Sequence, residues 1–376
     1  MNVLVVTNDF PPRVGGINYY VGHIARRFPP GEVTVFASAW EGARAFDADH
    51  PARVVRWPAR TMLPTPAVLD RVAGLARETR ADVVLFGAAF PLALLGPAIR
   101  RRTGVPYAAF THGWEVGAAS VPGGALPLRR IASGAALLTA VSGWTRDVIS
   151  RAVGPGVRIE LLPPGIDRER FHPGVDDRPV RERHGLGDRP VVCCVSRLVP
   201  RKGQDQVIRA LPRIAQEFPD VAFLVVGAGP YGHRLRSLAA ERGVAGRVVF
   251  AGEVPYEELP AYFRAGEVFA MPARTMRWGI EVEAYGAVYT QANAVGRPSV
   301  GGRSGGAPEA VRDGETGLVV DGTSVEDVAE GVLTLLRDPE LAAKMGRAGA
   351  EWVHAELTWE AIATRLRELL RGVLER

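Results

Sequence analysis

Cysteine is nearly absent from this chain. Only Cys193 and Cys194 occur, side by side within an apolar run. Adjacent cysteines with no others exclude a disulfide framework and a cysteine-built zinc site within one chain. A reducing, cytoplasmic setting is therefore expected. Long hydrophobic runs are also missing. No stretch approaches the ~20 apolar residues that cross a bilayer, so any membrane contact is expected to be peripheral. The opening MNVLVVTNDF is too short in its apolar run for a signal peptide, and Asp9 interrupts it. Excess charge is modest. A formal net charge of +5 favours anionic ligands or acidic membrane surfaces but does not demand nucleic acid. Internal repeats and low-complexity segments are lacking. Lysine is scarce beside arginine, and Ala, Gly and Val abound, which marks a GC-rich genome rather than a function.

What is present is length and regular alternation. The 376 residues suffice for two domains with separate cores. At 47% hydrophobic and 23% charged residues, the composition is that of a globular chain. Its 43 glycines and 29 prolines are scattered, as many βα turns require. Apolar runs at 3–6, 33–36, 54–57, 83–86, 107–110 and 137–141 predict strands of one unit, with 158–162 closing it. A polar stretch rich in Pro, Gly and Asp, residues 163–190, has the composition of a linker. A second strand series follows at 191–195, 222–226, 248–251, 268–271, 298–300 and 317–320. Largely apolar strands alternating with helices predict parallel sheets covered on both faces. The expected fold is α/β, with two facing doubly wound Rossmann-like domains. Ligands gather at the C-terminal strand ends of such sheets. The amphipathic segment from Trp359 to Leu374 is expected to be the last helix.

Four segments carry candidate chemistry. In 281–311, EVEAYGAVYTQANAVGRPSVGGRSGGAPEAV, an acidic loop leads into a helix, a short strand and a Gly-rich loop. Gly296 and Pro298 end the helix. Ser304, Gly305 and Gly306 leave backbone amides free to face an anion, and Pro308 suits the next helix's first turn. A ligand with both phosphate and hydroxyl groups fits this pattern; so does plain helix–strand–helix packing. In DFPPRVGGIN, Gly15 and Gly16 either admit an anion to their amides or simply form a tight turn. In VSRLVPRKGQD, Arg197 and Lys202 offer fixed positive charge, Arg gripping two phosphate oxygens and Lys supplying a point charge; a solvated basic loop is the plainer account. In THGWE, His112 sits at a strand's C-terminal end, where either a ligand contact or a structural role fits. Glu115 would orient it or meet a ligand; Trp114 would stack on a ligand ring or fill core. Arg274 and Arg277 would reach an acidic ligand or remain solvated. A competing motif, Gly227, Gly229 and Gly232 in VVGAGPYGHRL, has the G-x-G-x-x-G spacing of a dinucleotide fingerprint. It follows the second strand of its domain, whereas that fingerprint belongs at the first.

Taken together, MNVLVVTNDFPPRVGGI, THGWE, VSRLVPRKGQD, GGAPEAV and the Glu283 segment resemble the blocks of glycosyltransferase family 4, the retaining GT-B enzymes. The resemblance covers the whole chain. It is strongest to actinobacterial phosphatidylinositol mannoside mannosyltransferases, and antibiotic-pathway sugar transferases share the blocks. In the family, a Glu before the helix is followed, after seven residues, by a second Glu. Glu283 fits the first position; Gln291 departs from the second.

The resemblance implies a GT-B fold with a cleft, an acceptor-side domain at 1–178, a donor domain at 179–355, and residues 356–376 crossing back. It implies transfer from a nucleotide sugar, GDP-mannose first, with the α-configuration kept and without a metal or other cofactor. Glu283, His112, Arg197 and Lys202 carry catalysis in this reading. Gly15, Gly16, Arg197, Lys202, Gly229, Val254, Glu283, Ala287 and Gln291 meet the donor. Gln291 keeps a carbonyl acceptor for the nucleotide ribose but loses the charge. The acceptor is a phosphatidylinositol-like lipid or a soluble natural product such as an aminocyclitol, and the protein a monomer or homodimer. Two other readings are an NAD-dependent oxidoreductase built on Gly227–Gly232 and a catalytically silent, nucleotide-binding homologue.

Overall fold

The computed structural model describes residues 1–375. Two parallel sheets form where the apolar runs predict them. The first contains β1 (Val3–Thr7), β2 (Val33–Ser38), β3 (Arg53–Trp57), β4 (Val83–Phe86), β5 (Tyr107–Thr111), β6 (Leu137–Ala140) and β7 (Ile159–Leu161), in the order β3-β2-β1-β4-β5-β6-β7. The second contains β8 (Val191–Val195), β9 (Ala222–Val226), β10 (Val248–Gly252), β11 (Val268–Met271), β12 (Ser299–Gly302) and β13 (Gly317–Val320), in the order β10-β9-β8-β11-β12-β13. Central strands such as β1, β5, β8 and β9 are buried along their whole length, whereas the edge strands β3, β7, β10 and β13 are partly exposed. Burial on both faces explains why the central strands read as unbroken Val, Leu, Phe and Ala rather than as alternating patterns.

Each order reverses direction once, between β1 and β4 in the first sheet and between β8 and β11 in the second. At such a switch point the loops from the two strands' C-terminal ends diverge and leave room for a ligand. The loops after β1, β5, β8 and β11 carry Gly15, Gly16, His112, Arg197, Lys202 and Glu283, while Gly229 and Val254 follow β9 and β10, and Ala287 and Gln291 lie on the helix Ala287–Ala294.

The chain forms two compact units. One comprises Met1–Gly165 together with the residues from Trp359 onward; the other is Ile166–Thr358. The boundaries thus differ from those expected at 178 and 355. The segment 163–190 is not a free linker. From Ile166 onward it packs into the second unit, where Phe171, Val180 and Leu186 are buried. Burying each such side chain contributes about 1.5–3 kcal/mol. Arg181 ties the same segment down by donating to Asp177, Glu267 and the carbonyl oxygens of Gly187 and Ala265. A few anchors in a polar background suffice, and composition averaged over the segment hides them.

The helix Trp359–Leu374 buries Trp359, Ile362, Ala363, Leu366 and Leu370, an i, i+3, i+4, i+7, i+11 stripe, within the first unit. His23 stacks on Trp359 with ring centroids 4.9 Å apart. Both cysteines are free and buried in β8. Among the described residues, no helix is long and apolar enough to cross a membrane.

Candidate functional site

In the second unit, the loop after β8 tightens into a 3-10 turn, Pro200–Lys202. The loop after β11 runs through Arg277–Gly279 to Glu283 and into the helix Ala287–Ala294. Because β8 and β11 are neighbours, residues 82 apart in sequence meet. Arg201 Nη1 donates to Glu283 Oε2 at 2.9 Å and to the Val282 carbonyl at 3.2 Å. Lys202 Nζ donates to the same Oε2 at 2.5 Å. Glu283 Oε1 has no partner among the described residues. The Glu283 side chain is 9% exposed. Burial pushes its carboxyl up, but Lys202 and Arg201 together outweigh this and hold it below the usual carboxylate range. The result is an anion with one oxygen engaged and the other free to accept from hydroxyl groups.

The Glu283 backbone is fixed as well. Its N–H donates to Ser304 Oγ at 3.2 Å, and its carbonyl accepts from the Gly306 N–H at 2.9 Å. A Cβ on Gly305 would come within 2.3 Å of that carbonyl, so the close approach requires glycine. The Ser304–Gly306 amides were expected to face an anion. Gly306 instead spends its N–H on Glu283, because the loop after β12 packs directly against the loop that carries it.

Arg197 is exposed and has no ion-pair partner among the described residues. The geometry therefore divides the two cations expected to act alike: Lys202 is committed to Glu283, and Arg197 is available to an incoming anion. Arg201, to which the sequence reading assigned no role, is the residue it missed. Its one visible signal was adjacency to Lys202. Arg274 is not a solvated surface cation: its Nη2 pairs with Asp205 Oδ2 at 2.9 Å, both side chains being largely buried, and its Nη1 is buried with no partner among the described residues. Arg277 is exposed and pairs with Glu281 at 3.0 Å.

Ala287 and Gln291 stand one turn apart on one half-buried helix face, and the Gln291 side chain makes no hydrogen bond among the described residues. Val254 is half-buried in the loop after β10. Gly229 lies in the loop after β9. A Cβ there would meet the Leu198 carbonyl at 2.4 Å, and one on Gly227 would meet the Ser196 carbonyl at 2.2 Å. These glycines let the loops after β8 and β9 close on each other. That packing, rather than a dinucleotide, accounts for the fingerprint spacing.

In the first unit, Gly15 and Gly16 open the helix Gly16–Arg26, which has no side-chain N-cap. Its first N–H groups lack intrahelical partners, as at any helix start. Tyr20 of this helix packs edge-on against His112, with centroids 5.1 Å apart. His112 Nε2 lies 2.7 Å from the Gly87 carbonyl. A carbonyl only accepts, so Nε2 carries the proton and Nδ1 keeps its lone pair. Burial lowers the ring's pKa to about 4 against the smaller opposing effect of the Gly87 bond, so His112 is neutral at pH 7. Glu115 does not touch the ring. Its Oε2 accepts from the backbone N–H groups of His112 and Gly113, at 3.0 and 3.1 Å, and so sets the turn rather than the imidazole. Trp114 does not fill core: it is 61% exposed and stacks on Phe90 at 4.9 Å.

Among the described residues, no group of three His, Cys, Asp or Glu could hold a metal ion.

Comparisons with known proteins identify the family. Residues 14–170 match Glycosyltransferase Family 4, and residues 176–352 match Glycosyl transferases group 1. A GDP-mannose-dependent alpha-(1-6)-phosphatidylinositol monomannoside mannosyltransferase of Mycolicibacterium smegmatis is 50% identical over 98% of each chain. A Corynebacterium glutamicum enzyme described as acting on the monoacylated monomannoside is 42% identical over 98% of this chain and 97% of its own. Anabaena HepE, solved with UDP, superposes with a TM-score of 0.84 over 99% of this chain and 100% of its own; at 21% identity, that likeness shows the fold. No comparison supports the oxidoreductase reading. The chain belongs to glycosyltransferase family 4 and is a GT-B glycosyltransferase that uses a nucleotide sugar.

Proposed function

We propose that the protein transfers mannose from GDP-mannose to a hydroxyl of an acylated phosphatidylinositol mannoside, with the α-configuration retained. The observation that carries this reading is the clamped Glu283. Lys202 and Arg201 hold one of its oxygens, and the other remains for the hydroxyl groups of a sugar. The relatives' donor and acceptor then supply the chemical identities, at 50% identity across nearly the whole chain.

As the bond between the sugar's anomeric carbon and the diphosphate oxygen breaks, negative charge grows on the departing GDP. Arg197, exposed and unpaired, offsets that charge, while Lys202, committed to Glu283, keeps the sugar-binding carboxylate in place. The acceptor oxygen forms the new bond on the face the diphosphate leaves. The acceptor's proton passes to a diphosphate oxygen, so no protein base is consumed. Glu283 positions the sugar and does not attack it. His112, neutral at pH 7, accepts through Nδ1 from a sugar hydroxyl. The protein needs no metal or other cofactor in this scheme. A lipid acceptor is favoured over a soluble natural product because the first unit carries an exposed apolar patch at Phe90, Trp114 and Leu126.

A thermal-shift panel with GDP, UDP, ADP, CMP, TDP and NAD, followed by transfer from the matching nucleotide sugar, tests the reading. A ligand that binds the folded state at a hundred times its Kd stabilises it by about 2.7 kcal/mol. GDP alone should raise the melting temperature, and GDP-mannose alone should support transfer to phosphatidylinositol monomannoside. A shift with another nucleotide would reject the donor. GDP binding without transfer to any acceptor would favour a silent homologue.

A further inference from the structure

We propose that a cavity in the first unit, walled by Phe90, Trp114, Ala118, Pro127, Leu128 and Ile131, holds a segment of one acyl chain of the acceptor lipid and anchors that lipid beside His112. The proposal rests on the lipid-acceptor reading above and assigns part of that lipid to a particular place.

Three observations carry it. The first is size and polarity. The cavity measures about 170 Å³, and its named walls are aromatic or aliphatic. A pocket of this size lined by apolar side chains can take up hydrocarbon. The one ionisable side chain on its wall, Glu115, has its Oε2 turned to the N–H groups of His112 and Gly113.

The second is the rim. Trp114 is 61% exposed and Phe90 38%, and the two stack on each other. Leu126 is 63% exposed and Val121 39%. Phe90 and Trp114 stand on the wall of the hole itself and form a path by which an amphiphile's tail can enter, while Val121 and Leu126 belong to the segment between the wall residues Ala118 and Pro127. The charge nearby suits an anionic lipid. Residues 116–146 contain no acidic side chain, while Arg129 and Arg130 are exposed on the helix Ala125–Ala132. Cations beside an apolar patch draw phosphate-bearing lipids.

The third is placement. Glu115 belongs at once to the cavity wall and to the turn that fixes the His112 backbone. A chain seated in the cavity therefore brings its head group to the turn that carries His112.

The test separates binding from transfer. Calorimetry would measure binding of water-soluble phosphatidylinositols with butanoyl, hexanoyl or octanoyl chains, below their micelle concentrations. Affinity should rise by roughly fourfold per buried methylene and level off once the cavity is full. Ala118→Trp, which fills the cavity, should flatten that rise. It should also raise KM for a hexanoyl acceptor by at least about tenfold relative to KM for the deacylated head group. Trp114→Glu changes only an exposed rim residue and should flatten the rise too, which keeps the test decisive if Ala118→Trp does not fold. Affinity independent of chain length, or a rise that survives both substitutions, overturns the acyl site. Chain-length-dependent binding without transfer from GDP-mannose overturns the functional reading and leaves the site standing.

Discussion

The two units handle charge in opposite ways. In the second, two buried ion-pair sets line the strand ends: Glu283 with Lys202 and Arg201, and Asp205 with Arg274. In the first, the turn at His112 has no cation on its buried carboxylate. Glu115 is held by backbone N–H groups, His112 is neutral, and aromatic side chains and an apolar cavity surround them. A unit that receives a diphosphate needs charge fixed in advance, and fixing buried charge requires partners. A unit that receives an amphiphile needs apolar area and a few neutral acceptors.

The contrast can be broken most sharply at its charged end. Glu283→Gln keeps the shape but removes the anion that Lys202 and Arg201 hold. Turnover should fall about 10²- to 10³-fold, as when one preorganised polar contact is lost from an active site, while GDP affinity measured by calorimetry stays near that of the parent. Undiminished turnover would remove Glu283 from the site.

The division between Lys202 and Arg197 gives the next largest effect. Lys202→Ala leaves Glu283 buried with Arg201 alone. Stability should drop by about 2–3 kcal/mol, somewhat less than for a fully orphaned buried charge. Arg197→Ala removes an exposed side chain with no partner. Stability should stay within about 0.5 kcal/mol, while GDP binding weakens by roughly 10- to 100-fold. Urea melts and GDP titrations of both variants check the pair. If both lost stability equally, the division would be wrong.

The remaining expected effect lies in the first unit. His112 has its pKa lowered from an ordinary 6.5 to about 4. The unfolded chain therefore binds the extra proton first. The stability associated with neutral His112 is complete above about pH 6.5 and is lost as pH falls toward about 4. The loss amounts to roughly 3 kcal/mol. His112→Gln, whose amide can still donate to the Gly87 carbonyl, should show a shallower fall over that window in melts taken across the pH range. An unchanged slope would mean another group is responsible.

Much of the fold was legible because a strand buried on both faces must be apolar throughout, and each such run stands out against polar turns. All thirteen strands lie where those runs predict. Glu283, Lys202 and His112 were singled out through the resemblance to the family's blocks; of the three, only His112 directly follows a strand. Arg201 was not singled out, since nothing local distinguishes a clamping arginine from a solvated one. The stretch 163–190 misled through its average polarity, although Phe171, Val180 and Leu186 anchor it. Ser304 and Gly306 were read as facing an anion, whereas the structure turns them toward Glu283.

The sequence by itself determined the element types, the two-unit plan and the residue chemistry available at the strand ends, because burial and turn formation act over a few neighbouring residues. Only the tertiary structure decided the pairings: Arg201 and Lys202 with Glu283, Arg274 with Asp205, and Glu115 with the His112 turn and the apolar cavity. The two ion-pair contacts join loops far apart in sequence, and strand order, not local pattern, brings those loops together. The Glu115 contact is local in sequence, but the cavity it borders exists only once the helices after β5 have packed.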